Sequence, residues 1–83
     1  MNQQEILAHI QAAATEVLSV NPEAVNEDAR FGDDLDADSL DLVELIMALE
    51  DRLDIAIPED ELEQVETVGD AVRVVEAKLG AAA

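Results

Sequence analysis

The sequence predicts an all-α fold: a small four-helix bundle of three longer helices plus one short helix, with a long loop between helices 1 and 2. Three observations lead there. Aromatic residues are 1% of the chain, with Phe31 the single example, so the core must be aliphatic; that composition favours helices over a sheet sandwich, which draws on aromatic and Thr-rich strands. Apolar residues recur at helical spacing in the longest patterned stretches. The 83 residues suit one domain, taken as 1–83, whose core is thin and whose stability margin is modest.

Residues 3–19 form the first predicted helix. Ile6, Ile10, Ala14 and Val17 share one face, flanked by Leu7 and Leu18. Asn2 and Glu5 have capping-box spacing, and Asn21-Pro22 is expected to stop the helix. Residues 20–38 keep no period, and an unanchored loop of that length is uncommon in a compact domain. Val20, Val25, Ala29, Phe31 and Leu35 are therefore expected to pin it to the core, with a short helical turn near 23–28. Residues 39–53 give the strongest helix, about 22 Å long. Asp38 serves as its N-cap, supported by Asp41 at the third helical position. Asp54-Ile55-Ala56-Ile57 reads as an extended link, and Pro58 as the first position of a short helix over 58–63. Thr67 and Asp70 cap the last helix, 68–79, in which Val68, Val72, Val75 and Leu79 share a face. Gly80 suits the position just past its end, leaving 81–83 as a frayed tail.

Charge narrows the function. Four basic residues against 21 acidic ones give a formal net charge of −17. Nucleic acid and anionic membrane surfaces are unsuitable partners, because both require clustered Lys and Arg. The fitting partner is a protein with a basic patch. The chain has no cysteine, hence no disulfide and no thiol nucleophile of its own. Its N-terminus lacks the basic and apolar segments of a signal peptide, and no stretch approaches a membrane span, so a soluble cytoplasmic protein is expected.

The helix over 39–53 carries two apolar faces. At about 100° per residue, Leu42, Leu45, Ile46, Leu49 and Leu53 fall on one side, wide enough to be the core face. Leu40, Val43 and Met47 fall more than a quarter turn away, among Asp41, Glu44, Glu50 and Asp51. A helix buried on both sides would explain the second stripe. A docking face explains it together with the charge: 13 of the acidic residues lie between Asp33 and Glu63, opposed only by Arg52. Apolar contact would supply affinity and the acids would steer a basic partner.

Ser39 stands where the loop meets this helix. Serine is an ordinary helix-capping residue, but a side chain in the first turn is also open to solvent and to another protein. A phosphate there would meet free backbone N–H groups and the positive end of the helix dipole, against repulsion from the neighbouring carboxylates.

The run Asp38-Ser39-Leu40-Asp41, followed by Val43-Glu44-Leu45 and Met47-Ala48-Leu49-Glu50, closely resembles the attachment motif of stand-alone acyl carrier proteins. Phe31, Asp34 and Leu35 before it, and Ile57-Pro58 and Thr67-Val68 after it, extend the resemblance from about Ile6 to Leu79. The resemblance implies that a phosphopantetheinyl transferase moves 4′-phosphopantetheine from coenzyme A onto Ser39, flanked by Asp38 and Leu40. The arm's terminal thiol would then carry acyl groups for fatty acid, polyketide or lipopeptide-type synthesis. Leu40, Asp41, Val43, Glu44, Met47, Glu50, Asp51, Ile57 and Glu59 correspond to the surface that meets the transferase and the acyl-loading, ketosynthase, reductase or acyltransferase enzymes. The chain is then a substrate of enzymes and not an enzyme, and its like-charge density favours a monomer. Ala37, where the family often has Gly, Arg52 in an acidic run, and Ala56, where an acid is frequent, depart from the pattern without touching Ser39.

Other chemistries fit less well. Asp34-x-Asp36-x-Asp38 opens like a calcium loop, but Ser39 and Leu45 occupy the positions where an EF-hand needs Gly and Glu. His9, the single histidine, has no evident acidic orienter for a Ser-His-Asp relay and reads as a surface residue. An unmodified acidic adaptor that docks through 40–53 is the competing function, and it differs from the carrier in having no need of Ser39.

Overall fold

The computed structural model describes residues 2–82 and contains four α-helices: α1 (Gln3–Leu18), α2 (Ser39–Leu53), α3 (Glu59–Leu62) and α4 (Val68–Ala82). Helix α1 packs against both α2 and α4. Their shared core is aliphatic: Ile6 and Ile10 from α1, Leu45, Ile46 and Leu49 from α2, and Val68, Val72 and Val75 from α4. Burying each such side chain contributes about 1.5–3 kcal/mol. Among the described residues no polar or charged side chain is buried.

Each long helix starts at a pair of mutually capping side chains. The Asn2 side chain accepts the Glu5 N–H while Glu5 accepts the Asn2 N–H. Asp38 and Asp41 do the same for α2, at 2.8 and 3.2 Å. At α4 the Thr67 hydroxyl accepts from Asp70 N–H, and the Asp70 carboxylate accepts from the N–H groups of Thr67 and Glu66.

The helix ends differ from the expected ones in three places. Helix α1 stops at Leu18 because Ser19 turns into the left-handed region at φ 57°, ahead of Pro22, which instead opens a 3₁₀ turn, Pro22–Ala24. Pro58 precedes α3 as its cap, since its extended ψ of 151° keeps it out of the helix. Gly80 does not terminate α4: its φ is not positive, and the helix continues to Ala82, alanine being the best helix former. Ala83, the end of the expected frayed tail, lies outside the described residues. His9 is half-buried at the surface, with Nδ1 shielded and unpartnered.

The link between α1 and α2 is pinned as the scattered apolar residues require. Val25, Ala29, Phe31 and Leu35 are buried and Val20 is half-buried. Gln11 of α1 donates to the Val25 carbonyl at 3.0 Å. Three backbone bonds join the link to the start of α4: Phe31 N–H to Glu66 O, Val68 N–H to Ala29 O, and Gly69 N–H to Glu27 O. The last is a close approach that favours glycine, because a Cβ at Gly69 would lie 3.1 Å from the Glu27 carbonyl and push it back by a few tenths of an ångström. A half-buried ion pair, Lys78 with Glu61 at 2.6 Å, ties α4 to α3.

The cap of α4 gives stability a specific pH dependence. Donation from the Thr67 and Glu66 N–H groups holds the Asp70 carboxyl below the usual carboxylate range, with the Arg73 guanidinium and Thr67 hydroxyl adding to it and desolvation opposing. The unfolded chain therefore binds this proton more readily, so the stabilisation is present above the ordinary value of 3.8 and is lost as pH falls through the folded-state value. Asp70→Ala is expected to cost about 1 kcal/mol at neutral pH, shrinking toward zero in acid. Urea unfolding at about pH 7 and about pH 3 measures this, and an equal deficit at both would contradict it.

Candidate functional site

The site begins with the tight turn over 30–37. The Asp34 carboxylate accepts the Arg30 N–H at 2.7 Å, and the N–H groups of Asp34 and Leu35 return to the Arg30 carbonyl. Asp36 adopts φ 54°, and Ala37 N–H closes the turn on Phe31 O at 2.8 Å. This delivers the chain to Asp38, whose carboxylate caps α2, so Ser39 is the first helical residue and its side chain is exposed. The Asp38–Asp41 box satisfies two of the orphan N–H groups of the first turn, which leaves those of Ser39 and Leu40 free of intrahelical partners. Asp34 and Asp38 thus act as turn and cap acceptors, a use of the aspartate run unlike that of a calcium loop.

Two open grooves meet at Ser39. One, about 320 Å³, runs between the turn and the approach to α4, lined by Arg30, Phe31, Ala37, Leu42, Val65 and Glu66. The other, about 350 Å³, lies between α2 and α3, lined by Leu42, Val43, Glu59, Leu62 and Glu63.

Beside the serine, α2 shows both of its predicted faces. Leu45, Ile46 and Leu49 are buried, with Leu42 and Leu53 half-buried against them. Leu40 is 66% exposed, Met47 60% and Val43 36%, which excludes the reading of a helix buried on both sides. Glu44, Asp51 and Glu59 are exposed around this strip. Three residues expected on the same surface are engaged otherwise. Ile57 is buried, because the extended link turns its side chain into the core. Glu50 is half-buried and accepts the Ile57 N–H at 2.9 Å, clamping that link to α2. Asp41 is half-buried and committed to the capping box. Sequence reasoning passed over Arg30, Val65, Leu62 and Glu63 as groove walls; only their contacts through the folded link and α3 reveal them.

The family described as a phosphopantetheine attachment site matches residues 8–75. An acyl carrier protein of Prochlorococcus marinus is 51% identical over 80 residues, covering 96% of this chain and all of that one. One of Wolinella succinogenes is 52% identical over 71 residues, covering 86% and 93%. The crystal structure of an acyl carrier protein from Thermotoga maritima superposes with a TM-score of 0.88 at 28% identity, covering 100% of this chain and 96% of that one. The fold and these likenesses therefore define a helical carrier module. The chain belongs to the acyl carrier protein family, whose domain carries covalently attached 4′-phosphopantetheine; it is a carrier and not an enzyme.

The Glu50 clamp is testable without any partner. Glu50→Ala is expected to cost about 1–2 kcal/mol by leaving the Ile57 N–H unpaired, while Glu50→Gln, which keeps an acceptor, recovers most of it. Chemical denaturation of the three proteins checks this; equal stability of all three would make Glu50 a surface residue only.

Proposed function

We propose that Ser39 is the attachment point of the 4′-phosphopantetheine arm, and that the chain holds acyl intermediates there for enzymes of fatty acid, polyketide or lipopeptide-type biosynthesis. The observation that carries this reading is the Ser39 hydroxyl, exposed at the first turn of a helix that is capped by other residues. The residues present fit the arm. The free N–H groups of the first turn and the helix dipole favour an anion at this position, and two grooves receive whatever is attached. When bound, the arm supplies a terminal thiol that takes acyl groups as thioesters, which the cysteine-free chain does not itself provide. The protein's own contribution is to fix the start of α2, present the hydroxyl, and offer a docking surface beside it.

That surface is the strip Leu40, Val43 and Met47 with Glu44, Asp51 and Glu59 around it. Desolvation of the exposed apolar side chains supplies affinity, and the carboxylates orient a basic partner and speed encounter. Asp41 and Glu50 act indirectly, by holding the helix start and the α2–α3 link. The partners are a phosphopantetheinyl transferase and acyl-loading, ketosynthase, reductase or acyltransferase enzymes. No helix among the described residues is long and apolar enough to cross a membrane. A monomer fits the high density of like charge, and the cytoplasm is the compartment proposed for it.

Incubation with coenzyme A and a broad-specificity transferase is expected to add the mass of one phosphopantetheine to the parent and none to Ser39→Ala. A folded parent that gains nothing with more than one transferase would remove the carrier reading and favour the acidic adaptor. The double variant Leu40→Ala, Met47→Ala is expected to keep its fold and to bind the transferase about tenfold more weakly. Titration calorimetry checks this, and unchanged affinity would move the docking face elsewhere.

A further inference from the structure

We propose that Arg30 is the counter-ion of the arm's phosphodiester, so that the arm leaves Ser39 along the groove beside the 30–37 turn and not along the α2–α3 groove. The inference rests on attachment at Ser39. A phosphodiester there carries a permanent negative charge in an acidic setting, with Asp38 and Asp41 in the first turn and Glu59 and Glu63 lining the α2–α3 groove. The chain offers four cations. Arg73 is bound to Asp70 on its own helix, and Lys78 is tied to Glu61. Arg52 lies thirteen residues along α2 from Ser39, about 20 Å away. Arg30 alone lines a groove that Ser39 also lines.

Its backbone and side chain are suited to different tasks. The backbone is fixed, by the Asp34 carboxylate at its N–H, by two N–H groups at its carbonyl, and by the bridge between Arg30 and Thr67. The guanidinium is loosely held. It reaches Asp33 at 3.6 Å with both side chains largely exposed, at 61% and 79%. Such a pair contributes little and exchanges readily for a better acceptor. A guanidinium fork matches two phosphate oxygens, as a lysine ammonium does not. The same groove offers the walls of Phe31, Leu42 and Val65 for the less polar stretches of the arm. Both grooves carry acids, Asp33, Asp38 and Glu66 in the one beside the turn and Glu59 and Glu63 in the one between α2 and α3, so what separates them is the Arg30 guanidinium, the one Lys or Arg side chain lining either.

Amide and arginine side-chain NMR of the apo and loaded forms tests this. Loading is expected to shift the Arg30 side-chain N–H and the amides of Gly32, Ala37 and Glu66 more than those of Leu62 and Glu63. Raising salt from about 0.05 to about 0.5 M is expected to reduce the Arg30 shift. Arg30→Gln is expected to at least halve the shifts at Gly32, Ala37 and Glu66, and Arg30→Lys to keep part of them. The exposed side chain makes both variants compatible with the fold, and far-UV circular dichroism verifies that. An Arg30 signal that ignores loading, or an Arg30→Gln protein with the parent's pattern of shifts, would overturn the proposal. If the variants load poorly, the salt series on the loaded parent decides alone. Intact mass separates the two layers: no arm on Ser39 defeats the carrier assignment, while a loaded Ser39 with a silent Arg30 defeats only this inference.

Discussion

Three backbone hydrogen bonds, joining residues 27–31 to residues 66–69, fix the frame on which the site depends. The link between α1 and α2 has only one short 3₁₀ turn of its own. Without an external anchor its backbone would pay a large entropic cost for order. The start of α4 provides that anchor, and the order then passes along the chain. Phe31 is set by Glu66, Ala37 by Phe31, and Asp38 begins α2 directly afterwards. The position of Ser39 is thus set by a helix start nearly thirty residues later in the chain. Gly69 is part of the same constraint, because a side chain there would press on the Glu27 carbonyl that accepts its N–H.

The acidity is partly structural. Glu5, Asp34, Asp38, Asp41, Glu50 and Asp70 each accept a backbone N–H at a helix start, turn or link. Carboxylates in these places are stabilised by backbone dipoles, and of the six only Asp70 also has a cation, Arg73. This lets a chain with only four basic residues fold with so large a negative charge. Other acids stay exposed, among them Glu44, Asp51 and Glu59 beside the exposed strip of α2. The two uses of acid lie side by side: Glu50 and Asp51 are neighbours, one holding Ile57 and the other facing solvent.

Much of this was legible in the residues. The bounds of α2, the three capping pairs and the core face of each long helix follow from local chemistry and from the 3.6-residue period, which act within a few positions. The exposed stripe of Leu40, Val43 and Met47 was legible because the same helix already had enough apolar surface elsewhere to fill the core. Features set by distant contacts were not. Ile57 is put on the partner surface by the resemblance alone, and one apolar side chain in an extended link has no period that would assign it to the core instead. Glu50 looked free because its partner is a backbone N–H seven residues away, across a turn that the sequence does not define. Arg30 sits in a stretch with no repeat, and its place in the groove beside Ser39 depends on the local turn closed by Asp34 and Leu35 together with the three bonds to α4. Ser19 and Gly80 show the other limit, since helix ends are decided by a single residue's φ.

The capping of α2 by Asp38 and Asp41 has a consequence for how such a protein can be used. Serine in the first helical turn commonly helps to hold it together, and any chemistry on its oxygen would then trade against folding. Here, among the described residues, the Ser39 hydroxyl takes part in no hydrogen bond, and the helix start is complete without it. Esterifying that oxygen removes nothing from the native state. Holding the helix start and offering a reactive oxygen are thus assigned to different side chains, and the two tasks do not compete for one atom.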